Sequence, residues 1–301
     1  MKKVPVLILA FNRPDHVIRA VEAVRTYQPN SLYLSCDGPR ENKDGEAELI
    51  MATQRAMLDA VDWECEVKTL FREKNLGCAQ AVYEAITWFF NHEEYGVIIE
   101  DDMVIGLDFF RLCEDLLPRY NDKEEIMCIN AQNHSCRTDI ANSYVYSYRS
   151  SCWGWASWAR AWKKMDMTMS YLQNVSLKYL TNRLGFFEGI MMMHYFRVGY
   201  KHIDTFKSWA YRWRLSIHAN DGLVIVPGVN LAKNIGNDGG VHFKKGDVDL
   251  YADLPIGNLE WPLEYNDTFI IDCQQSKYDA DDFLMQRKYG LRKKLRKLLH
   301  L

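Results

Sequence analysis

The eight cysteines of this 301-residue chain (Cys36, Cys65, Cys78, Cys113, Cys128, Cys136, Cys152 and Cys273) are scattered without one CxxC pair. That spacing excludes a zinc ribbon and a thioredoxin-type redox centre. Several of them sit inside apolar runs, where a free thiol behaves as a small core residue, which points to a reducing compartment. Long apolar runs are also missing. Met1-Lys2-Lys3-Val4-Pro5 leads straight into a strand-like segment whose apolar part is too short for a signal peptide or a membrane anchor, so the expected location is the cytosol. Charge of one sign is scarce too. The net charge is −3 and no polybasic stripe interrupts the first 285 residues, so nucleic acid is not an expected partner. Internal repeats and low-complexity linkers are absent, which leaves one continuous unit or two closely packed ones.

What is present is an ordinary globular balance, 48% hydrophobic and 26% charged, with a high aromatic share of 13% that includes 9 Trp and 17 Tyr. Such rings serve either as core or as flat platforms for sugars. The most informative segment is Gly96-Val97-Ile98-Ile99-Glu100-Asp101-Asp102. A continuous apolar run of this length reads as a strand buried on both faces, and ligands of open α/β sheets bind at the carboxyl ends of such strands. Three adjacent carboxylates there suit a hard divalent cation that bridges to phosphate oxygens; an acidic turn, with Asp108 capping the next helix, is the plainer reading.

The surrounding pattern is β-α-β-α-β-α-β. Strands are predicted from Val4 to Phe11, Ser31 to Cys36, through Val67 to Phe71, and Gly96 to Ile99. Helices are predicted from Asn12-Arg13-Pro14-Asp15 to about Thr26, from about Glu46 to Asp62, and from Asn75-Leu76-Gly77 to about Asn91. This alternation implies a mainly parallel sheet flanked by helices. A helix from Leu107 to Tyr120 and a strand from Ile126 to Ala131 extend it, and residues 150–220 read as largely helical. Trp155, Trp158 and Trp162 fall at i, i+3 and i+7, one helical face, for which core packing is the natural use. Four loops, Phe11-Asn12-Arg13-Pro14, Cys36-Asp37-Gly38, Arg72 to Gly77 and Glu100-Asp101-Asp102, each follow a strand. Together they offer a helix N-terminus, an acceptor carboxylate, cations and a metal site, which is what a nucleoside diphosphate needs.

The order of these segments, with Glu100-Asp101-Asp102-Met103 followed by Asp108-Phe109-Phe110, resembles GT-A fold glycosyltransferases, and within them the inverting N-acetylglucosaminyltransferase I group and its bacterial, haemolysin-like relatives. Cys152-Trp153-Gly154-Trp155-Ala156, Ser208-Trp209-Ala210-Tyr211-Arg212-Trp213 and Asn230 to Gly236, closing at His242, are similar to the bacterial branch. The resemblance implies a Rossmann-like GT-A domain over residues 1–245, with a nucleotide half to about 131 and an aromatic-rich acceptor half over about 132–245. Residues 246–286 would form an extension.

By the same resemblance, Asp102 contacts a Mn²⁺ or Mg²⁺ ion, Glu100 and Asp101 hold the ribose and the metal's water shell, and Asp37 faces the nucleobase. Phe11, Asn12 and Arg13 wrap the nucleotide, with Arg72, Asn75 and Gly77 near the diphosphate. His242 is a second candidate for the metal, and Trp153, Trp209 and Arg212 for the acceptor. The implied donor is a nucleotide sugar, UDP-linked in preference, and the acceptor a glycan or lipid-linked sugar. One departure matters: several relatives place Asp directly after the Trp that matches Trp209, and this chain has Ala210. Asp204, then Asp221 and Glu188, are the replacement candidates for the catalytic base, though each also reads as a cap or a surface charge. The departure leaves open a catalytically inactive homologue that binds a nucleotide sugar or glycan. A sugar-1-phosphate nucleotidyltransferase is disfavoured because Ala10 to Pro14 lacks the glycine-rich loop. Finally, Leu291, Leu295, Leu298 and Leu299 alternate with Arg287, Lys288, Arg292, Lys293, Lys294, Arg296 and Lys297, a basic amphipathic helix over 287–301 suited to an anionic membrane surface.

Overall fold

The computed structural model describes residues 3–135, 137, 140, 143–236 and 254–279. The first hundred residues follow the predicted alternation: β1 (Val6–Ala10), α1 (Pro14–Arg25), β2 (Ser31–Cys36), α2 (Glu46–Asp59), β3 (Glu66–Phe71), α3 (Cys78–Phe90) and β4 (Tyr95–Glu100). Then come β5 (Met103–Ile105), α4 (Leu107–Arg119), β6 (Ile126–Asn130), β7 (Tyr144–Ser147), β8 (Trp155–Trp158) and α5 (Ala159–Trp162). A short 3₁₀ turn, Ser170–Asn174, precedes α6 (Leu177–Leu184), α7 (Phe186–Lys201), α8 (Trp209–Ala219), β9 (Leu223–Pro227) and β10 (Ala232–Asn234).

Eight strands form one sheet in the order β3-β2-β1-β4-β8-β6-β9-β7, while β10 and β5 pair separately. β1 to β4 run parallel, as do β6 and β9, whereas β8 and β7 run against their neighbours. The architecture is therefore the mainly parallel α/β sheet that the alternation predicts. Val97, Ile98 and Ile99 are fully buried, as a strand covered on both faces requires.

The region after residue 150 departs from expectation at one place. Trp155 and Trp158 belong to a strand, inserted antiparallel between β4 and β6, and only Ala159–Trp162 is helical. A four-residue strand buried on both faces carries no alternation, so a chance helical spacing of its tryptophans misleads. Their use is as predicted. Trp155 stacks on Trp209 with centroids 5.7 Å apart, and the Trp158 indole N–H donates to the Leu117 carbonyl at 2.8 Å.

Asp108 does not cap α4. Its carboxylate accepts from the Leu259 amide at 2.8 Å and the Trp261 indole at 3.3 Å, which fastens the segment 254–279 to the domain. That segment continues along the edge strand β7: Ile271 bridges to Tyr146 and the Asp272 amide donates to the Tyr146 carbonyl at 3.0 Å. An otherwise open sheet edge is thereby covered.

His218, on α8, is buried with neither ring nitrogen hydrogen-bonded among the described residues. Burial, with Arg183 and Arg214 nearby, pushes its pKa down to about 3. In the unfolded chain the ring protonates near pH 6.5 while the folded protein keeps it neutral, so stability is complete above pH 6.5 and declines as pH falls toward 3. At pH 5 the loss from this ring alone is about 2 kcal/mol. His218→Leu should flatten the stability–pH profile between pH 5 and 6.5, measured by urea midpoints; an unchanged slope would assign the acid sensitivity to other groups.

Candidate functional site

Strand register brings the predicted loops together. Ala10 pairs with Cys36, Cys36 with Phe71, and Leu9 with Glu100, so Phe11, Asp37, Arg72 and Asp101 all leave the sheet at one edge. Ile98 and Asn130 both face Trp155 on β8, so the chain beyond Asn130 emerges at the same edge. α8 begins there as well, because its first residue, Trp209, lies beside Glu100.

The three carboxylates that end β4 turn to different partners. Glu100 faces the Trp209 side chain, Asp101 accepts from the Phe11 amide at 3.3 Å, and Asp102 pairs with Arg13 at 3.5 Å. Burial and the neighbouring acids raise Glu100 to about 8 and Asp101 to about 7. Among the described residues no three His, Cys, Asp or Glu side chains converge as a ready-made metal cage. The Asp102 side chain is about a quarter exposed. A hard cation held by one carboxylate and completed by phosphate oxygens fits this donor set; a cation enclosed by protein ligands does not.

β10 closes over the acids. The Ile235 amide donates to the Asp102 carbonyl at 2.8 Å, and a Cβ on Gly236 would stand 2.5 Å from Asp102 Oδ2. The absence of a side chain at Gly236 thus keeps the Asp102 carboxylate accessible. His242 lies outside the described residues, as does the helix expected over 287–301.

The Phe11 ring is half-exposed with the Arg40 guanidinium 5.4 Å above it. Arg40 is gripped by the buried Glu46, which also accepts from Asn12 Nδ2 at 3.2 Å and which Arg40 holds at a pKa of about 2. Arg40 and Glu46 escaped the sequence reading because a basic residue in a turn and an acid opening a helix look like ordinary solvated charges. Arg72 reaches Glu84 on α3 at 3.0 Å, and its Nη1 is buried without a partner among the described residues. Trp153 is half-exposed beside His134, ring centroids 6.2 Å apart.

Several assignments need correction. Asp37 is not an open acceptor for a nucleobase. It is buried, and its carboxylate takes the amides of Gly38 (2.9 Å), Leu76 (3.1 Å) and Gly77 (3.1 Å) and the Asn75 side chain (2.9 Å). Asn75 and Gly77 belong to that same knot, Gly77 with φ +79, which favours glycine. Arg212 is not free for an acceptor: it is buried and donates to the carbonyls of Met167, Ile203, Phe206 and Ser208. Trp209 is buried too, so its ring is no sugar platform, although it lies beside Glu100. Two base candidates face arginines. Glu188 is 2% exposed and faces Arg149 at 3.6 Å. Asp221 precedes β9 and therefore sits at the opposite, amino-terminal edge, paired with Arg183 at 3.0 Å. Asp204 remains exposed in the α7–α8 connection, five residues before Trp209.

Asp37→Ala should cost about 2–4 kcal/mol in folding stability, because it strands three amides and a carboxamide in a partly buried loop. Thermal unfolding measures this; a variant as stable as the parent would show that the knot contributes nothing.

Several solved structures match parts of this chain at low identity. HddC from Yersinia pseudotuberculosis is 13% identical, covering 52% of this chain and 77% of that one, with a TM-score of 0.32. The inositol-1-phosphate CTP transferase from T. maritima is 9% identical over 75% of this chain and 86% of that one, TM-score 0.37. A UDP-glucose pyrophosphorylase complexed with UDP-glucose is 11% identical over 50% and 64% of the two chains, TM-score 0.26. No curated protein matches the chain. The GNT-I family model, however, matches residues 1–171, which takes in β1 to β8 and every acid of the Glu100–Asp102 edge. That is more than half of the 301 residues, and the chain belongs to the GNT-I family.

Proposed function

We propose that this protein is a metal-dependent, inverting glycosyltransferase that moves a sugar from a nucleotide sugar, UDP-linked in preference, to a glycan or lipid-linked acceptor. Family membership supports the use of a nucleotide sugar. The observation that carries the metal is Asp102: a partly exposed carboxylate at the carboxyl edge of a parallel sheet, beside Arg13 at 3.5 Å and against Gly236, which has no side chain to cover it. Asp102 would hold a Mn²⁺ or Mg²⁺ ion, which supplies positive charge to the departing diphosphate. Arg13 beside it, and Arg72 in the next loop but one, would add cationic charge around the same phosphates. Phe11 under Arg40 offers a flat face to the base, and Trp153 one to the acceptor. Glu188 is buried beside Arg149 and Asp221 pairs with Arg183, so of the three carboxylates Asp204, exposed in the α7–α8 connection, is the one we assign to take the acceptor's proton. We further assign the activity to the cytosol and to bacterial surface-glycan assembly, where lipid-linked acceptors are glycosylated.

The rival is an inactive relative that binds a nucleotide sugar without transferring it, and the observation behind it is Ala210, half-buried where a carboxylate would be useful. Donor hydrolysis measured with and without Mn²⁺ separates the two. Asp102→Ala should abolish metal-dependent turnover and leave the fold intact, since the residue contributes no core contact. Metal-dependent turnover persisting in a folded Asp102→Ala protein would overturn the assignment.

For the base, Asp204→Asn should reduce turnover by a factor on the order of 10² to 10⁴ while donor affinity holds, since the amide keeps the size but accepts no proton. A bell-shaped pH–rate profile that loses its acidic limb in the variant would support the role. Full activity in Asp204→Asn removes it.

A further inference from the structure

We propose that the outer face of the α6–α7 hairpin is a docking surface for an anionic lipid bilayer. This reading concerns a surface apart from the carboxyl-edge site and does not depend on whether that site transfers sugar.

α7 is apolar on two sides. Its inner side, with Met192, Met193 and Phe196, packs into a small second core against Leu180 and Leu184 of α6 and Leu215 of α8. The two helices meet closely at Gly189, where a Cβ would stand 2.6 Å from the Cα of Thr181. A helix apolar all round is normally buried all round. Here the outer side is open: Phe186 is 65% exposed, Phe187 60% and Ile190 37%, and Leu177 at the start of α6 is 40% exposed. Single exposed apolar residues on a soluble protein are ordinary, but adjacent phenylalanines at a hairpin tip, ring centroids 5.4 Å apart, form a contiguous apolar knob.

The charges around the knob choose the partner. Between Met167 and Ile203 the sequence holds a single acid, Glu188, which is buried beside Arg149. Lys178, Arg197 and Lys201 are all exposed on the same two helices. The exposed Asp221 is already paired with Arg183 of α6 at 3.0 Å, and a second copy seated face to face by two-fold symmetry would set Arg197 and Lys201 against their own mates. A bilayer with anionic headgroups matches both features: the aromatics enter the headgroup boundary and the cations meet phosphate. None of the helices among the described residues is long and apolar enough to cross a membrane, so the contact is one that lies on the surface.

The test uses the full chain and vesicles of phosphatidylcholine, with and without a one-third share of phosphatidylglycerol, read by co-sedimentation. The parent should bind the anionic vesicles. Phe186→Ser/Phe187→Ser should lower its partition coefficient by a factor on the order of 10 to 100, as expected for withdrawing two rings from the headgroup boundary. Arg197→Glu/Lys201→Glu should lower binding to anionic vesicles as well, and provides an independent arm should the serine variant fold poorly. UDP binding with Mn²⁺ by calorimetry should be the same in all three proteins. The proposal fails if the parent ignores anionic vesicles. It also fails if both variants bind them as the parent does, which would hand the contact to another part of the chain such as residues 287–301. A parent dimer in analytical ultracentrifugation that the serine variant converts to monomer would overturn it in favour of a second copy.

Discussion

Mutual repulsion among Glu100, Asp101 and Asp102 is the constraint around which the carboxyl edge is organised. β4 delivers them there because Val97, Ile98 and Ile99 must be buried, and the strand can shed charge only at its end. Each acid is then drawn to a different element: Glu100 to α8 through Trp209, Asp101 to the turn after β1 through the Phe11 amide, Asp102 to Arg13 at the start of α1. The repulsion thus becomes a set of tethers that fixes three loops around one point. Burial and the neighbouring acids raise Glu100 and Asp101 above the usual carboxylate range, so the crowding also disfavours full ionisation of the cluster.

The helices after residue 165 enclose a second, smaller core beside that of the sheet. Met169, Met192 and Met193 fill it alongside Leu180, Leu184, Phe196 and Leu215, and methionine adapts to gaps between irregularly packed helices. α8 joins the two cores. Trp209, Trp213 and Ile217 face the sheet's core while Leu215 faces the helical one, so the helix that reaches Glu100 is gripped on both sides.

The sheet and its edge were legible in the sequence because the relevant signals are local. Apolar runs of four to six residues, a Pro in the first turn of α1 and acids directly after a buried run each declare themselves within a few positions. β8 was not legible, because a strand buried on both faces shows no period and Trp155 to Trp158 is too short to reveal one. Asp37 and Arg212 were misjudged for a different reason. A polar side chain's partners are set by tertiary approach: Asp37 meets Leu76 and Gly77 only because β2 and β3 are neighbours, and Gly38 packs so tightly on Lys74 that a Cβ would collide with its backbone. Sequence can flag such residues as important but cannot say whether they serve a ligand or the fold.

Arg212 shows how the two uses connect. Its guanidinium donates to the carbonyls of Ile203, Phe206 and Ser208, which span the turn between α7 and α8, and to that of Met167. Four carbonyls without a buried carboxylate make an uncommon setting for a guanidinium, since a charge withdrawn from water normally wants a counter-ion. The arrangement is reasonable where the gain is geometric: a planar fork of donors holds several carbonyls in fixed directions, which the single ammonium of a lysine does not. The turn so held carries Asp204 on its outer side. A residue whose motif suggested contact with the acceptor is therefore held one step back, its guanidinium fixing the connection between α7 and α8 on which Asp204 lies.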